Sequence, residues 1–202
     1  LLNIAVRENL ISKNPAQNVE RFKVQDSNRE FLTVEELKQL RKTPPPNKPL
    51  AQAFFFSCLT GLRWSDIVKL TWNEIQEWHN GTRIVFTQKK TGGLEYLDIN
   101  AQAADMLGRR GNPDEKVFPE LGPIQSARIG IGAWVRAAGI DKHITFHCAR
   151  HTFAVMMLDL GVDIYTVSKL LGHRSLETTQ IYAKILDKNK KAAVERIPNI
   201  FG

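Results

Sequence analysis

The chain has 202 residues, 43% of them hydrophobic and 24% charged, and it carries a formal net charge of +7 at pH 7. This length suits one sizeable domain, or one domain with a fragment of another, and the composition excludes a disordered or fibrous protein. No apolar run approaches the roughly 20 residues that span a bilayer, and the excess of positive charge favours a polyanionic partner such as nucleic acid.

The start of the chain and its cysteines indicate a cytoplasmic protein. Arg7 and Glu8 interrupt any apolar core of a secretion signal, and the first residue is leucine, so we expect a piece of a longer protein. Cys58 and Cys148 form no CxxC pair and lie in apolar helical contexts. We expect both to be reduced structural thiols, as in a cytosolic protein.

Hydrophobic periodicity predicts a mainly helical chain whose helices end at glycine, proline or polar breaks. Thr33 is a suitable N-cap, and Glu36 three residues later completes a capping box. Ser65 is the expected cap of a short helix that follows the break at Thr60-Gly61. The predicted helices cover residues 1–23 with their exit at Asn14-Pro15, 33–42, 49–59, 64–72, 101–109, 123–138, 146–160, 163–171 and 176–191.

Residues 74–100 differ from the rest of the chain because they alternate in polarity and are rich in β-branched and aromatic residues. Asn80-Gly81 is a strong hairpin turn, and Lys90–Gly93 supplies a second turn. We therefore predict a three-stranded antiparallel sheet. The expected fold class is α+β, mainly α-helical with this one small sheet.

The stretch "TFHCARHTFA" (145–154) places His147, Arg150 and His151 on one face of a predicted helix. Two histidines four residues apart are compatible with half of a zinc site, but a zinc protease needs glutamate where this chain has Cys148. The first threonine is a suitable N-cap, so His147 and Arg150 fall in the first turns, where backbone N–H groups favour an anion. A phosphate clamp is the favoured interpretation, and a metal site or inert surface histidines are the alternatives.

A second segment, "LLGHRSLETTQIYAK" (170–184), combines a helix break with a tyrosine. Gly172 is predicted to end an apolar helix with His173 exposed at the break, and Ser175 to cap the helix that carries Tyr182. Tyr182 lies about two turns, or roughly 10 Å, from that cap, so its phenol could face the group that His173 holds. The alternative is an aromatic residue that only packs against the helix.

Three segments together resemble the signature boxes of the tyrosine recombinase, or phage integrase, family: "TGLRWSDI" (60–67), "HCARHTF" (147–153) and "LLGHRSLETTQIY" (170–182). The family pattern is an arginine, a lysine on a hairpin, His-x-x-Arg, a histidine or tryptophan, and then a tyrosine. This chain has such residues in that order, and the boxes span about residues 31–190. The resemblance implies the tyrosine recombinase catalytic-domain fold, which belongs to the predicted α+β class.

The resemblance also implies a catalytic set and a reaction. Tyr182 would attack a DNA phosphodiester, form a 3′-phosphotyrosine and release a 5′-hydroxyl. The arginines would neutralise the attacked phosphate, Lys90 would protonate the leaving oxygen, and the histidines would bind the phosphate and assist proton transfer. No metal, ATP or other cofactor is expected, because the phosphotyrosyl bond conserves the energy of the broken ester. By position in the boxes the catalytic residues are Arg63, Lys90, His147, Arg150, His173 and Tyr182.

Further residues are expected to support this set or to contact DNA. Asp66 would orient the guanidinium of Arg63, and His151 would support His147. The remaining basic residues near the boxes would track the DNA backbone and make binding steeply dependent on salt. These DNA-contact candidates are Lys89, Arg83, Arg128, Arg136, Lys142, Lys169 and Arg174.

The ends of the chain carry expectations about domains and partners. Residues 1–28 resemble the tail and linker of a preceding DNA-binding domain, and 29–202 the catalytic domain with its C-terminal tail. That tail ends in apolar Ile197, Ile200 and Phe201, and in relatives such a tail docks on a neighbouring protomer. The expected partners are double-stranded DNA and further copies of the chain, as a tetramer on DNA, without a membrane. The expected location is the nucleoid in bacterial cytoplasm.

Two other functions share part of this pattern. A type IB topoisomerase uses the same chemistry but relaxes supercoils as a monomer, and the short spacing and apolar tail favour recombination over it. A non-enzymatic DNA-binding regulator could keep the fold, but it would have little use for Tyr182.

Overall fold

The computed structural model describes residues 1–19, 29–79, 81–87, 93–173, 175–182 and 198. Within these ranges about half of the chain is helical, and three strands form one sheet. The elements are α1 (Leu2–Arg7), α2 (Val34–Lys42), α3 (Lys48–Thr60), α4 (Trp64–Ile67), β1 (Ile75–Trp78), β2 (Gly81–Thr87), β3 (Leu94–Ile99), α5 (Ala101–Leu107), α6 (Ile124–Ala137), α7 (Phe146–Asp159), α8 (Ile164–Leu170) and α9 (Glu177–Gln180).

The sheet confirms the sequence prediction of three antiparallel strands in the order β1-β2-β3. Ile75 pairs with Ile84, and Ile84 pairs with Leu97. Residues directly opposite each other on neighbouring strands lie on the same face of the sheet, and all three of these side chains are buried. Residue 80 of the first predicted turn and residues 88–92 at the second lie outside the described residues.

Helix starts follow the capping rules closely. The predicted box at α2 is present: the Glu36 N–H donates to Thr33 Oγ1 at 3.2 Å, and the Thr33 N–H donates to Glu36 Oε2 at 2.7 Å. Helix α7 also begins with a capping box, in which a cysteine takes the position that is usually Glu or Gln. The Thr145 N–H donates to Cys148 Sγ at 3.3 Å. Cys148 and Cys58 are both free and buried.

Two predicted helices are shorter in the structure. The N-terminal helix ends near Arg7, because Asn9 adopts a left-handed conformation with φ of +57°. The helix predicted over 64–72 is regular only to Ile67, and its N-cap position is Arg63, not Ser65. Beyond it the backbone pairs elsewhere: the Val117 N–H donates to the Leu70 carbonyl at 2.9 Å, and the Trp72 N–H to the Glu115 carbonyl at 3.1 Å.

The last predicted helix is only partly described. Helix α9 covers four residues, and the remainder of the predicted helix, from 183 to 191, lies outside the described residues. Its N-cap position is Leu176, not the predicted Ser175, although Ser175 Oγ accepts the Glu177 N–H at 3.2 Å. Within the described residues, no helix combines the length and the apolar character that crossing a membrane requires.

Helices α3 and α7 form the centre of the core and position the site. Phe54 of α3 is fully buried and packs edge-on against Phe146 of α7, with ring centroids 5.9 Å apart. Helix α3 ends at Gly61, whose φ of +72° is left-handed and therefore favours glycine. A Cβ at Gly61 would lie 2.7 Å from Phe153 Cδ1 of α7. The end of α3 thus meets α7 with no space for a side chain.

We expect Gly61→Ala to destabilise the fold more than Gly139→Ala. Both glycines have φ of +72°, but a Cβ at Gly139 would meet only Gln39 Nε2, at 3.6 Å. The backbone conformation costs about 1–2 kcal/mol at either position, and the contact with Phe153 adds about 1–3 kcal/mol at Gly61. Urea unfolding followed by circular dichroism measures the difference, and equal losses for the two variants would show that the side chains around Gly61 yield without cost.

Candidate functional site

A buried guanidinium lies at the centre of the site. Arg150 of α7 is only 5% exposed. Its Nη1 donates to the Gly61 carbonyl at 2.7 Å, and its Nη2 donates to the Leu171 carbonyl at 2.5 Å. These carbonyls end α3 and α8, where the helix dipole is negative and carbonyl groups lack partners within the helix. Arg150 therefore joins all three boxes of the sequence.

The surroundings of Arg150 disfavour its positive charge. Burial, followed by the positive charge of Arg63, lowers the pKa of Arg150 to about 9, while Tyr182 and Asp66 act in the opposite direction. The guanidinium is still protonated at neutral pH. Two cations that oppose each other in a partly buried place attract an anion.

A small pocket beside Arg150 is lined by several charged side chains. Among the described residues, the cations that line it are Arg63 and Arg150, which the sequence predicted together, and Lys169, which was predicted only as a DNA contact. Asp66 is buried and lines the same pocket; its role in orienting Arg63 stays a prediction. Aromatic Tyr96, which sequence reasoning did not select, completes one wall of the pocket.

Tyr182 lies in a buried position outside the lining of that pocket. Its side chain is 3% exposed and belongs to a cluster with Phe153 and Leu158. Its hydroxyl is hydrogen-bonded to Nδ1 of His151. Burial raises the pKa of the phenol, which the charge of Arg29 partly offsets, so the phenol is neutral at neutral pH. The ring of Tyr182 thus packs in a hydrophobic cluster, while its hydroxyl forms a hydrogen bond with His151.

The two histidines of α7 have different surroundings. His147 is exposed, and its ring meets the ring of buried His151 edge-on, with centroids 4.5 Å apart. The support of His147 by His151 stays a prediction, and the bond from His151 to Tyr182 was not foreseen. Among the residues that the structure describes, no group of three or more His, Cys, Asp or Glu side chains is placed to hold a metal ion.

His173 follows the end of α8 and turns one ring nitrogen toward α9. Gly172 before it has φ of +58°. Nδ1 of His173 lies 2.8 Å from Oγ1 of Thr179, which is fully buried. Sequence reasoning missed Thr179, although its place three residues before Tyr182 puts both on one face of a helical turn.

The predicted DNA contacts fall into three groups. Arg83 forms an ion pair with Asp98, with nitrogen–oxygen distances of 2.5 and 2.8 Å, and Lys142 lies 2.6 Å from Glu36. DNA binding by these two stays a prediction, and it would compete with the ion pairs. The exposed members of the set are Arg128, Arg136 and Lys169. Lys89 and Arg174, with catalytic candidate Lys90, lie outside the described residues.

The pKa of His151 is lowered to about 3, first by burial and then by the positive charges of His147, Arg29, Arg150 and His173. An unperturbed histidine titrates near pH 6.5. Between pH 3 and pH 6.5, His151 is therefore protonated in the unfolded chain and neutral in the folded chain. The contribution of His151 to stability is therefore present above pH 6.5 and is lost as the pH falls.

We expect the free energy of unfolding to fall less steeply in His151→Asn than in the wild-type chain as the pH is lowered. The amide can still bond to the phenol but does not titrate. Between pH 7 and pH 5 the wild-type chain should lose about 2 kcal/mol more than the variant. Urea unfolding at each pH measures both curves; parallel curves would mean that His151 takes up its proton equally in the folded and unfolded states.

The chain is similar to a known protein family and to several of its members. The model of the phage integrase family matches residues 30–189. The ICEBs1 integrase of Bacillus subtilis is 24% identical in an alignment that covers 99% of this chain and 62% of that protein. Tyrosine recombinase XerA of Pyrococcus furiosus is 34% identical over 188 residues, which cover 85% of this chain and 64% of that protein. The chain thus spans less than two thirds of the length of these relatives.

The fold is shared with the Tn1549 transposon integrase, solved in complex with circular intermediate DNA. The TM-score is 0.66 at 18% sequence identity, and the match covers 89% of this chain and 69% of that chain. The family match covers most of the sequence, including the three boxes that meet at Arg150. The chain therefore belongs to the phage integrase family, that of the tyrosine recombinases its sequence resembles.

Proposed function

We propose that this chain is the catalytic part of a site-specific DNA recombinase or integrase. The observation that carries the proposal is the convergence of Arg63 and Arg150 on one small pocket, with the Tyr182 hydroxyl bonded to the residue next to Arg150. Two guanidiniums in a confined site can hold the non-bridging oxygens of one phosphate. A phenol nearby supplies the nucleophile that such a phosphate would meet.

In the proposed reaction the Tyr182 oxygen attacks the phosphorus of a DNA strand, and its proton passes to His147. The bond from phosphorus to the 5′-oxygen breaks, and that oxygen takes a proton from Lys90, leaving a 3′-phosphotyrosine. Arg63 and Arg150 neutralise the charge that develops on phosphorus oxygens. His147 and His173 bind the phosphate and assist proton transfer. Rejoining reverses these steps and needs neither metal nor ATP.

The nucleophile must leave its buried position before it can attack. Its hydroxyl is bonded to His151, and only 3% of the residue is exposed. Burial favours the neutral phenol, which is a poor nucleophile. We assign this arrangement to the chain before DNA is engaged, with His151 holding the Tyr182 hydroxyl in place and burial keeping it neutral until the phosphate is seated.

The proposed partner is double-stranded DNA. The Tn1549 integrase, which shares the fold, was solved with DNA, and the net charge of +7 supports a polyanionic partner. We assign the catalytic domain to residues 29–202 and the end of a preceding DNA-binding domain to residues 1–28. The proposed location is the bacterial nucleoid.

Assembly on DNA is proposed to use the C-terminal tail, which lies outside the described residues. An apolar groove of about 550 Å³ supports a receptor for it on a second copy of the chain. The groove lies between α2, α3 and α5, where unpaired apolar surface favours a partner. Its apolar lining includes Leu37, Ala51, Phe55, Leu59, Met106 and Met156.

We expect Tyr182→Phe to abolish covalent capture of DNA and to leave DNA binding intact, because only the attacking oxygen is removed. The assay incubates full-length protein with nicked duplex DNA taken from both sides of its gene and looks for a protein–DNA adduct on a denaturing gel. Tyr165→Phe is the matched control, since Tyr165 is 61% exposed and lies outside the catalytic set.

An adduct formed by Tyr182→Phe would refute the assignment of the nucleophile. Binding without any adduct in the wild-type protein would favour a regulator that has kept only the fold. Relaxation of supercoiled plasmid without a sequence requirement would favour the topoisomerase alternative. Mass spectrometry of the adduct from wild-type protein should place the nucleotide on Tyr182.

We expect Phe201→Asp to weaken cooperative assembly on DNA while single-copy binding stays near the wild-type level. The new charge would oppose burial of the tail in an apolar groove. Asn199→Asp adds the same charge at a polar position and is the matched control. Mobility-shift titrations resolve the successive complexes, and unchanged cooperativity in Phe201→Asp would mean that the tail packs on its own domain.

A further inference from the structure

Thr179 makes contacts that neither the sequence motifs nor the proposed reaction uses. It is fully buried in α9, and its Oγ1 lies 2.8 Å from Nδ1 of His173. Its carbonyl accepts the backbone N–H of Tyr182 at 3.0 Å. One residue therefore contacts both a candidate catalytic imidazole and the turn that carries the candidate nucleophile.

We propose that Thr179 is a positioning residue that fixes the orientation and the protonation pattern of the His173 ring. The inference rests on the strand-cleavage reaction proposed above, in which His173 donates a hydrogen bond to the phosphate. It assigns to the threonine hydroxyl a part in catalysis that acts through the imidazole and not on the substrate.

The chemistry of the two groups supports this role. A hydroxyl can donate to an unprotonated Nδ1 or accept from a protonated one. When the Thr179 hydroxyl donates, the neutral ring carries its proton on Nε2; when the ring is charged, both nitrogens carry protons. In both of these states Nε2 is a donor on the side of the ring away from Thr179. A neutral ring that donated from Nδ1 to the hydroxyl would leave Nε2 an acceptor, so we assign the donor role in the neutral state to the hydroxyl. A phosphate oxygen requires such a donor.

The setting of the two residues makes the contact persistent. The backbone N–H of His173 donates to the Ser168 carbonyl of α8 at 3.0 Å, so the residue is fixed at the end of that helix. Its ring is fixed from α9 by Thr179. A buried hydroxyl that loses its hydrogen-bond partner is destabilising, which favours the contact. Thr178, the next residue along, is exposed and provides a matched control.

The first test measures the ring of His173 directly. In full-length protein labelled with ¹⁵N at histidine, the ring nitrogen shifts report which nitrogen carries the proton, and His173→Gln identifies the signals. We expect Thr179→Val, which keeps the shape and removes the hydroxyl, to change the Nδ1 shift. Thr179→Ser and Thr178→Val should preserve it. Unchanged His173 signals in Thr179→Val would overturn the proposal, and Thr179→Ala replaces that variant if it does not fold.

The second test measures covalent capture of the nicked duplex DNA. Thr179→Val should slow capture about tenfold, as loss of one hydrogen bond predicts, and Thr179→Ser should restore the rate. In a His173→Gln background, Thr179→Val should add no further loss. A full further loss there would mean that Thr179 acts independently of His173 and would overturn the proposal. A wild-type protein that captures no DNA would refute the recombinase function, and the ring-nitrogen shifts would then decide on Thr179.

Discussion

The site depends on one buried cation and the carbonyl groups that hold it. Burying a guanidinium without partners is costly, and Arg150 meets this demand through the carbonyls that end α3 and α8. Both acceptors are groups that a helix leaves unsatisfied at its C-terminus. The planar guanidinium can bond to two carbonyls in different directions, which the single ammonium of a lysine cannot reproduce with the same geometry.

This interaction explains why three distant segments of sequence act together. The glycine that ends α3 brings its carbonyl to Arg150 and lets the helix approach α7 without a side chain between them. The residue that follows Leu171 and Gly172 is His173, so the same helix end that holds the cation also places an imidazole. Chain breaks, more than regular elements, therefore set the geometry of the candidate site.

Patterns within a few neighbouring residues predicted much of the structure, whereas contacts between residues far apart in the sequence could not be predicted. The capping box at Thr33 and the three-stranded sheet follow from patterns within a few residues. Arg83 pairs with Asp98, 15 residues away, and Lys142 pairs with Glu36, 106 residues away. In the sequence, Arg83 and Lys142 therefore resembled unpaired surface charges. The contact of Thr179 with His173 was missed because threonine in a short helix carries no pattern of its own.

The thiol at the start of α7 gives the protein an internal reporter of local opening. Cys148 accepts the Thr145 N–H and is nearly inaccessible, and Cys58 is fully enclosed, with a thiol pKa that burial raises well above its ordinary value. An alkylating reagent can therefore reach Cys148 only when the first turn of α7 opens, and Cys58, which lies beneath the apolar groove, only when the side chains that line the groove move apart. The two modification rates would time these events separately, without any label added to the chain.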